Sequence, residues 1–257
     1  METPGSEVNL ESRSARGWLG RLLARLLPPR CALCSAALQD SPAPLCAGCR
    51  GELADNLPCC PRCAEPLARA EPACGPCLQR PPPFAGAFAG FRYAWPLDGL
   101  ITRFKFGGDL AAGRALALLL AERVRAASPA RPDLLVPVPL HDDRLRRRGH
   151  DQALELARDL GRTLALPVAP DLLRRTRATA AQTELDAVAR RRNVRAAFQV
   201  QPRALARART AGHRRLVLVD DVMTTGATLA ECARTLQQAG FDRVEVWVVA
   251  RAARGPH

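Results

Sequence analysis

The sequence predicts an α/β fold, a parallel sheet flanked by helices, with a small cysteine-rich module ahead of it. Three observations carry this reading. Leu216-Val217-Leu218-Val219 is an unbroken apolar run, the mark of a strand buried on both faces. From Phe84 onward, short strand-like runs alternate with longer helical patterns. Nine of the ten cysteines lie between Cys31 and Cys77, and the tenth, Cys232, stands alone. At 257 residues the chain is long enough to bury a full core.

Residues 1–27 form a polar tail and a short amphipathic helix at 18–27, in which Arg21 and Arg25 interrupt any secretory apolar stretch. No apolar run reaches the roughly 18 residues that a membrane span needs. A cytoplasmic setting is therefore expected, where paired cysteines more often bind metal than form disulfides.

Residues 28–80 hold four pairs: Cys31-x-x-Cys34, Cys46-x-x-Cys49, Cys60-x-x-Cys63 and Cys74-x-x-Cys77. Such a turn offers two thiolates to one tetrahedral ion, and two turns complete a closed site. Sequential pairing gives one zinc to Cys31, Cys34, Cys46 and Cys49. It gives a second to Cys60, Cys63, Cys74 and Cys77. Both sites are filled by protein, so both zincs are expected to be structural. The intervening loops are too short and too rich in Pro and Ala to bury a core without metal, which couples folding to zinc. A redox pair would need a single such turn, and iron–sulfur spacings are usually denser. Cys59 reads as a free thiol and Cys232 as a small core residue.

The larger domain spans 84–254, after the linker Pro81-Pro82-Pro83. Residues 84–95, aromatic and glycine-spaced, suggest a pair of strands. Pro96 opens a helix through Ile101 and Phe104, which breaks at Gly107-Gly108. Residues 110–127 read as a long apolar helix, and 134–140 as a strand with prolines near its end. A basic turn follows, with His141, Arg144, Arg148, His150 and Asp151, and then a helix over 153–164. Lys105, between two phenylalanines, either snorkels outward or has a specific role hinted at by its being the only lysine.

The apolar run at 216–219 leads into Asp220-Asp221-Val222-Met223-Thr224-Thr225-Gly226-Ala227-Thr228, and then into a helix through Leu229, Ala233 and Leu236. In an open α/β sheet, ligands bind beyond the carboxyl ends of the strands. A glycine-bearing turn that opens a helix presents free N–H groups and a positive dipole end to phosphate. Threonine hydroxyls add donors, and paired carboxylates can accept from sugar hydroxyls. The segment suits a phosphorylated ribose.

This run is similar to the loop that binds 5-phosphoribosyl 1-diphosphate (PRPP) in type I phosphoribosyltransferases. That resemblance implies that the catalytic pair Asp220 and Asp221 binds the ribose 2′ and 3′ hydroxyls. Val222 and Met223 would lead into Thr224, Thr225, Gly226, Ala227 and Thr228, which would wrap the 5′-phosphate. The chain as a whole resembles the ComF/GntX family, a double zinc ribbon followed by a type I phosphoribosyltransferase-like domain. Supporting motifs are the four cysteine pairs, Phe104-Lys105-Phe106, Val136-Pro137-Val138-Pro139-Leu140-His141, the arginines 144–148, and Arg175-Thr176-Arg177 with Gln182. By the same resemblance, Pro139, His141, Arg144 and Arg148 would border the diphosphate, with magnesium accompanying PRPP. Arg175, Arg177 and Gln182 would belong to a lid over 176–182. This chain has Gly149-His150-Asp151-Gln152 where the family usually has Gly-Phe-Asn-Gln, so Asp151 either serves magnesium or points away. Ala180-Ala181 stands where a proline is common. Position 224 is threonine, where 6-oxopurine enzymes have a base-contacting aspartate, so the sequence names a donor and no acceptor.

The net charge of +13 leaves open a surface that faces nucleic acid or polyphosphate and one that is merely solvated. ComF-like proteins are linked to DNA uptake in natural competence. A second reading is accordingly a non-catalytic accessory of DNA uptake that binds single-stranded DNA on a nucleotide-sensing fold. Aromatic residues for base stacking are sparse, which weighs against it.

Overall fold

The computed structural model describes residues 29–38, 44–127, 130–177 and 196–253. Its centre is a four-stranded parallel sheet. Strand β1 is Ala87–Arg92, β2 is Leu134–Pro137, β5 is Arg215–Met223 and β6 is Arg243–Arg251, in the spatial order β1-β6-β5-β2. Residues 84–95 make one strand rather than two. Beyond β2, Leu135 bridges Val168 in parallel, extending that edge.

Alternate residues of β5 feed different cores, as the period of two demands. Val217 and Val219 join Trp247 and Val249 under helices α3 (Leu97–Gly107), α4 (Leu110–Ala127) and α6 (Gln152–Leu164). Leu216 and Leu218 join Val246 and Val248 on the other face, under α7 (Pro202–Thr210) and α8 (Ala227–Gln238). A small antiparallel hairpin, β3 (Leu173–Arg175) with β4 (Phe198–Val200), lies on this second face. Sequence patterning did not show it, since a three-residue strand carries almost no periodic signal. The basic turn contains a short helix, α5 (Asp142–Arg148).

The two cysteine modules share one local design. Cys31 N–H donates to Ala36 O and Cys60 N–H to Glu65 O, each at 2.8 Å, and Ser35 and Ala64 take the corresponding left-handed turns. Cys46 precedes α1 (Ala47–Gly51), and Cys74 precedes α2 (Gly75–Gln79). Their surroundings differ. Cys31, Leu38, Leu45 and Leu53 belong to the core beneath α3 and α4, whereas Cys60, Cys63, Cys74 and Cys77 belong to the core beneath α8. The segment between the modules crosses the β1 edge, where Arg92 N–H donates to Ala54 O at 2.9 Å. The modules therefore straddle the sheet and cover its exposed edge.

Candidate functional site

Helix α6 follows β2 and packs on one face, while α8 follows β5 and packs on the other. The chains leaving these neighbouring strands diverge and open a crevice at their carboxyl ends, the place where open α/β sheets take ligands. A small pocket lies there, lined by Asp220, Val222, Met223, Thr224, Gly226, Ala227, Thr228 and Leu229. Gly226 is required by this turn: its φ is +75°, and a Cβ would meet Met223 Cε at 2.8 Å. It N-caps α8 with no capping side chain and no acid in the first turn, which leaves N–H groups facing the pocket.

The acid pair is splayed across the sheet. Asp220 lies on the α8 side with the pocket, near enough to Cys232 and Arg175 for their charges to interact. Asp221 points to the other side, where its carboxylate sits 2.9 Å from Lys105 Nζ at the end of α3. The only lysine is thus a site residue rather than a snorkelling one. Long-range packing brings it there, and its isolation among arginines was the sole sequence signal.

That helix end is held from the basic segment. His150 Nε2 is 3.0 Å from Phe104 O, and its Nδ1 is 3.1 Å from Arg148 O. The buried Gln152 accepts from Arg148 at 2.9 Å, and the Arg148 guanidinium lies over the Phe106 ring. Asp151 N-caps α6, accepting from Leu154 N–H at 3.1 Å and, at 3.4 Å, from Leu140 N–H. Burial pushes its carboxyl above the usual range. As the N-cap of α6, Asp151 lies near enough to Asp220 and Asp221 for their charges to interact. His141 caps α5, its Nδ1 accepting from Asp143 N–H at 3.2 Å. Pro139 precedes it at the end of the β2 segment.

Arg175 is buried at the base of the hairpin, with its guanidinium over Phe198, and is not an exposed lid residue. Burial and the like charge of Arg144 lower it to about 10. The basic helix and the hairpin thus converge beside Asp220, joined also by Arg174 to Asp142 at 3.3 Å. Arg177 is exposed just beyond β3. Gln182, most of the expected lid and the helix at 18–27 lie outside the described residues.

Burial raises the Asp220 carboxyl to about 7; the charge of Asp221 adds to this and Lys105 opposes it. A raised folded-state value means that the native protein holds this proton more tightly than the unfolded chain, whose carboxyl titrates near ~4. The associated stability is complete below that pH and is lost as pH rises through 7. Asp220→Asn should therefore melt above the wild type at pH 8, with the difference shrinking as pH falls and gone only below about pH 4. Paired thermal melts check this, because both proteins share the zinc sites and acid effects there cancel. A difference that does not change with pH would contradict it.

The sulfurs of Cys31, Cys34, Cys46 and Cys49 lie within 4.8 Å of one another, as do those of Cys60, Cys63, Cys74 and Cys77. The Cys34–Cys46 and Cys63–Cys74 sulfur separations are 3.7 and 3.5 Å. Tetrahedral zinc with Zn–S bonds near 2.3 Å needs about 3.8 Å, so both clusters fit. Against the opposing effect of burial, surrounding backbone N–H groups hold Cys31 down to about 6 and Cys60 to about 7. Burial and neighbouring sulfurs push Cys63 and Cys77 up, a conflict that a divalent cation relieves. Cys59 stands apart from both sets, and Cys232 is fully buried in the α8 core. No helix among the described residues is long and apolar enough to cross a membrane.

The architecture is that of a double zinc-ribbon protein with a parallel α/β domain. The double zinc ribbon family matches residues 22–78. The chain is 36% identical over 227 residues to competence protein F of Haemophilus influenzae, covering 87% of this chain and 97% of that protein. It is 35% identical over 229 residues to DNA utilization protein YhgH of Escherichia coli K12, covering 88% and 98%. The protein of the same name from Salmonella typhimurium is 34% identical over 229 residues, with the same coverage. The chain belongs to the ComF/GntX family.

Proposed function

We propose that the protein binds PRPP, or a related ribose phosphate, at Asp220, Asp221 and the loop 222–228, in a competence-related role in DNA use. The role follows the names of its relatives, competence protein F and DNA utilization protein. The observation that carries the ligand is the pocket itself: a carboxylate, a glycine-capped helix start and threonines gathered where β2 and β5 diverge. The 5′-phosphate takes the α8 N–H groups and threonine hydroxyls, and a ribose hydroxyl donates to Asp220.

In phosphoribosyl transfer, the bond from C1 to the diphosphate oxygen breaks as a nitrogen nucleophile attacks C1, through a cationic sugar. Arg144, Lys105 and Arg148 are the cations near the leaving group, and they neutralise the charge that develops on it. Asp221 already has an ammonium at 2.9 Å, so the acid pair is not a bare cation cage. Asp220, which lines the pocket, would help to hold a magnesium ion bound with PRPP, and the ion would supply further neutralisation of the diphosphate. Calorimetry of the zinc-loaded protein with PRPP and magnesium tests the reading. Micromolar binding is expected, and no heat at millimolar PRPP would sink it.

A second reading, a non-catalytic protein that binds single-stranded DNA, draws on one observation. Trp95 and Phe106 are 72% and 71% exposed, and Arg148 lies over Phe106. Such rings and cations suit base stacking. Binding of an oligothymidylate that weakens steeply with salt would favour it, and would be lost selectively in Trp95→Ala/Phe106→Ala.

A further inference from the structure

Among the described residues the largest fully buried side chain is a cation, Arg251, the last residue of β6. A buried guanidinium is costly unless its charge is compensated and its donors are matched. Here they are matched by groups from separate parts of the chain. Nε donates to Cys63 O at 3.1 Å and Nη1 to Met223 O at 3.0 Å. The guanidinium also reaches Ala252 O, and Nη2 pairs with the Glu65 carboxylate. Cys63 belongs to the second cysteine cluster, and Glu65 closes the same knuckle by accepting from Cys60 N–H. Met223 ends β5, and its side chain occupies the space that a Cβ on Gly226 would need.

One side chain therefore ties the second metal knuckle to the strand end from which the phosphate-type loop springs. Around the first cluster the ties differ: Arg50 pairs with Glu122, Asp55 with Arg123, and Arg103 donates to Ala32 O at 2.7 Å. All of these lead to α3 and α4, on the opposite face.

We infer that Arg251 is a positioning residue through which the second zinc ribbon, and not the first, holds the loop 223–228 in its ligand-accepting shape. The coupling stands on the contacts alone, while its consequence for PRPP rests on the reading proposed above. Removing the Glu65 charge takes away a carboxylate that faces the buried guanidinium, so the clamp loosens at the loop as well as at the knuckle.

Amide hydrogen exchange over 223–230, with zinc content measured in parallel, tests this without any ligand. Glu65→Gln should retain both zincs and yet exchange on the order of 10-fold faster in this segment, with β2 unchanged. In Cys34→Ser, which disrupts the first cluster, exchange over 223–230 should rise no more than exchange over β2 does. Chelating the remaining zinc from that variant should then accelerate exchange over 223–230. Unaltered loop exchange in Glu65→Gln overturns the proposal. If Glu65→Gln does not fold, chelation of the second zinc from Cys34→Ser decides instead: exchange over 223–230 that rises no more than that of β2 overturns the proposal. With PRPP and magnesium, Glu65→Gln should bind several-fold more weakly than wild type. A wild type that binds no PRPP would overturn the ligand reading and leave the clamp standing.

Discussion

Asp220→Asn/Asp221→Asn should bind PRPP at least ~10-fold more weakly than the wild type, because a hydrogen bond to a charged group is worth about 1.5–3 kcal/mol and the one from the ribose to Asp220 is removed. Loss of fold would not explain such a result. At pH 8 the Asp220 carboxylate is held ionised against its burial and against Asp221, so neutralising it relieves strain rather than adding it. The fold control is therefore the single variant Asp220→Asn, which keeps the Lys105–Asp221 pair and should melt no lower than the wild type at that pH while binding more weakly in calorimetry. The double substitution also frees Lys105 from Asp221. A released ammonium favours a diphosphate, so any weakening comes from the ribose contacts. Retention of wild-type affinity would remove Asp220 and Asp221 from the ligand site.

Zinc removal should have the largest effect on the fold itself. Two equivalents per chain are expected, and structural zinc contributes about 10–16 kcal/mol in zinc-finger peptides at neutral pH, comparable to a whole domain's usual margin of about 5–15 kcal/mol. The cysteines are not an appendage. Cys31 sits in one apolar core with Phe104 and Leu116, and Cys60 and Cys63 sit in the other with Leu218 and Val246. A strong chelator should therefore lower the melting temperature of the α/β domain and not merely release a tail. Cys31→Ser/Cys34→Ser and Cys60→Ser/Cys63→Ser should each lose one equivalent, and the second should be the more damaging because that cluster is wholly buried. A domain that melts unchanged without zinc would contradict this.

What could be read from the chain was contiguous. The strand at 216–219, the acid pair and the Thr-Thr-Gly-Ala-Thr turn form one uninterrupted stretch, and each part implies the next. The helix at 110–127 was legible to the residue because its apolar pattern runs over five turns. Short or composite elements were not: the hairpin of β3 and β4 offers three residues a side, and α5 hides among arginines. The roles of the polar residues around the site were legible only in part. His141 and Asp151 are caps, and nothing in a single His or Asp distinguishes a cap from a ligand before its helix is placed.

By itself the sequence determined the pairing of the cysteines, because four thiolates on two short loops can satisfy one tetrahedral ion without help from the rest of the chain. It determined the strand–acid–loop–helix unit for the same reason, since its geometry is local. Tertiary structure alone decided that the zinc modules straddle the sheet. It alone set Lys105 against Asp221, and Arg251 between Cys63, Glu65 and Met223. These partners meet only after the chain has wound around the sheet, and Glu65 and Arg251 are 186 residues apart. Spacing encodes neighbours along the chain; burial, and the need to match every buried charge, chooses those across it.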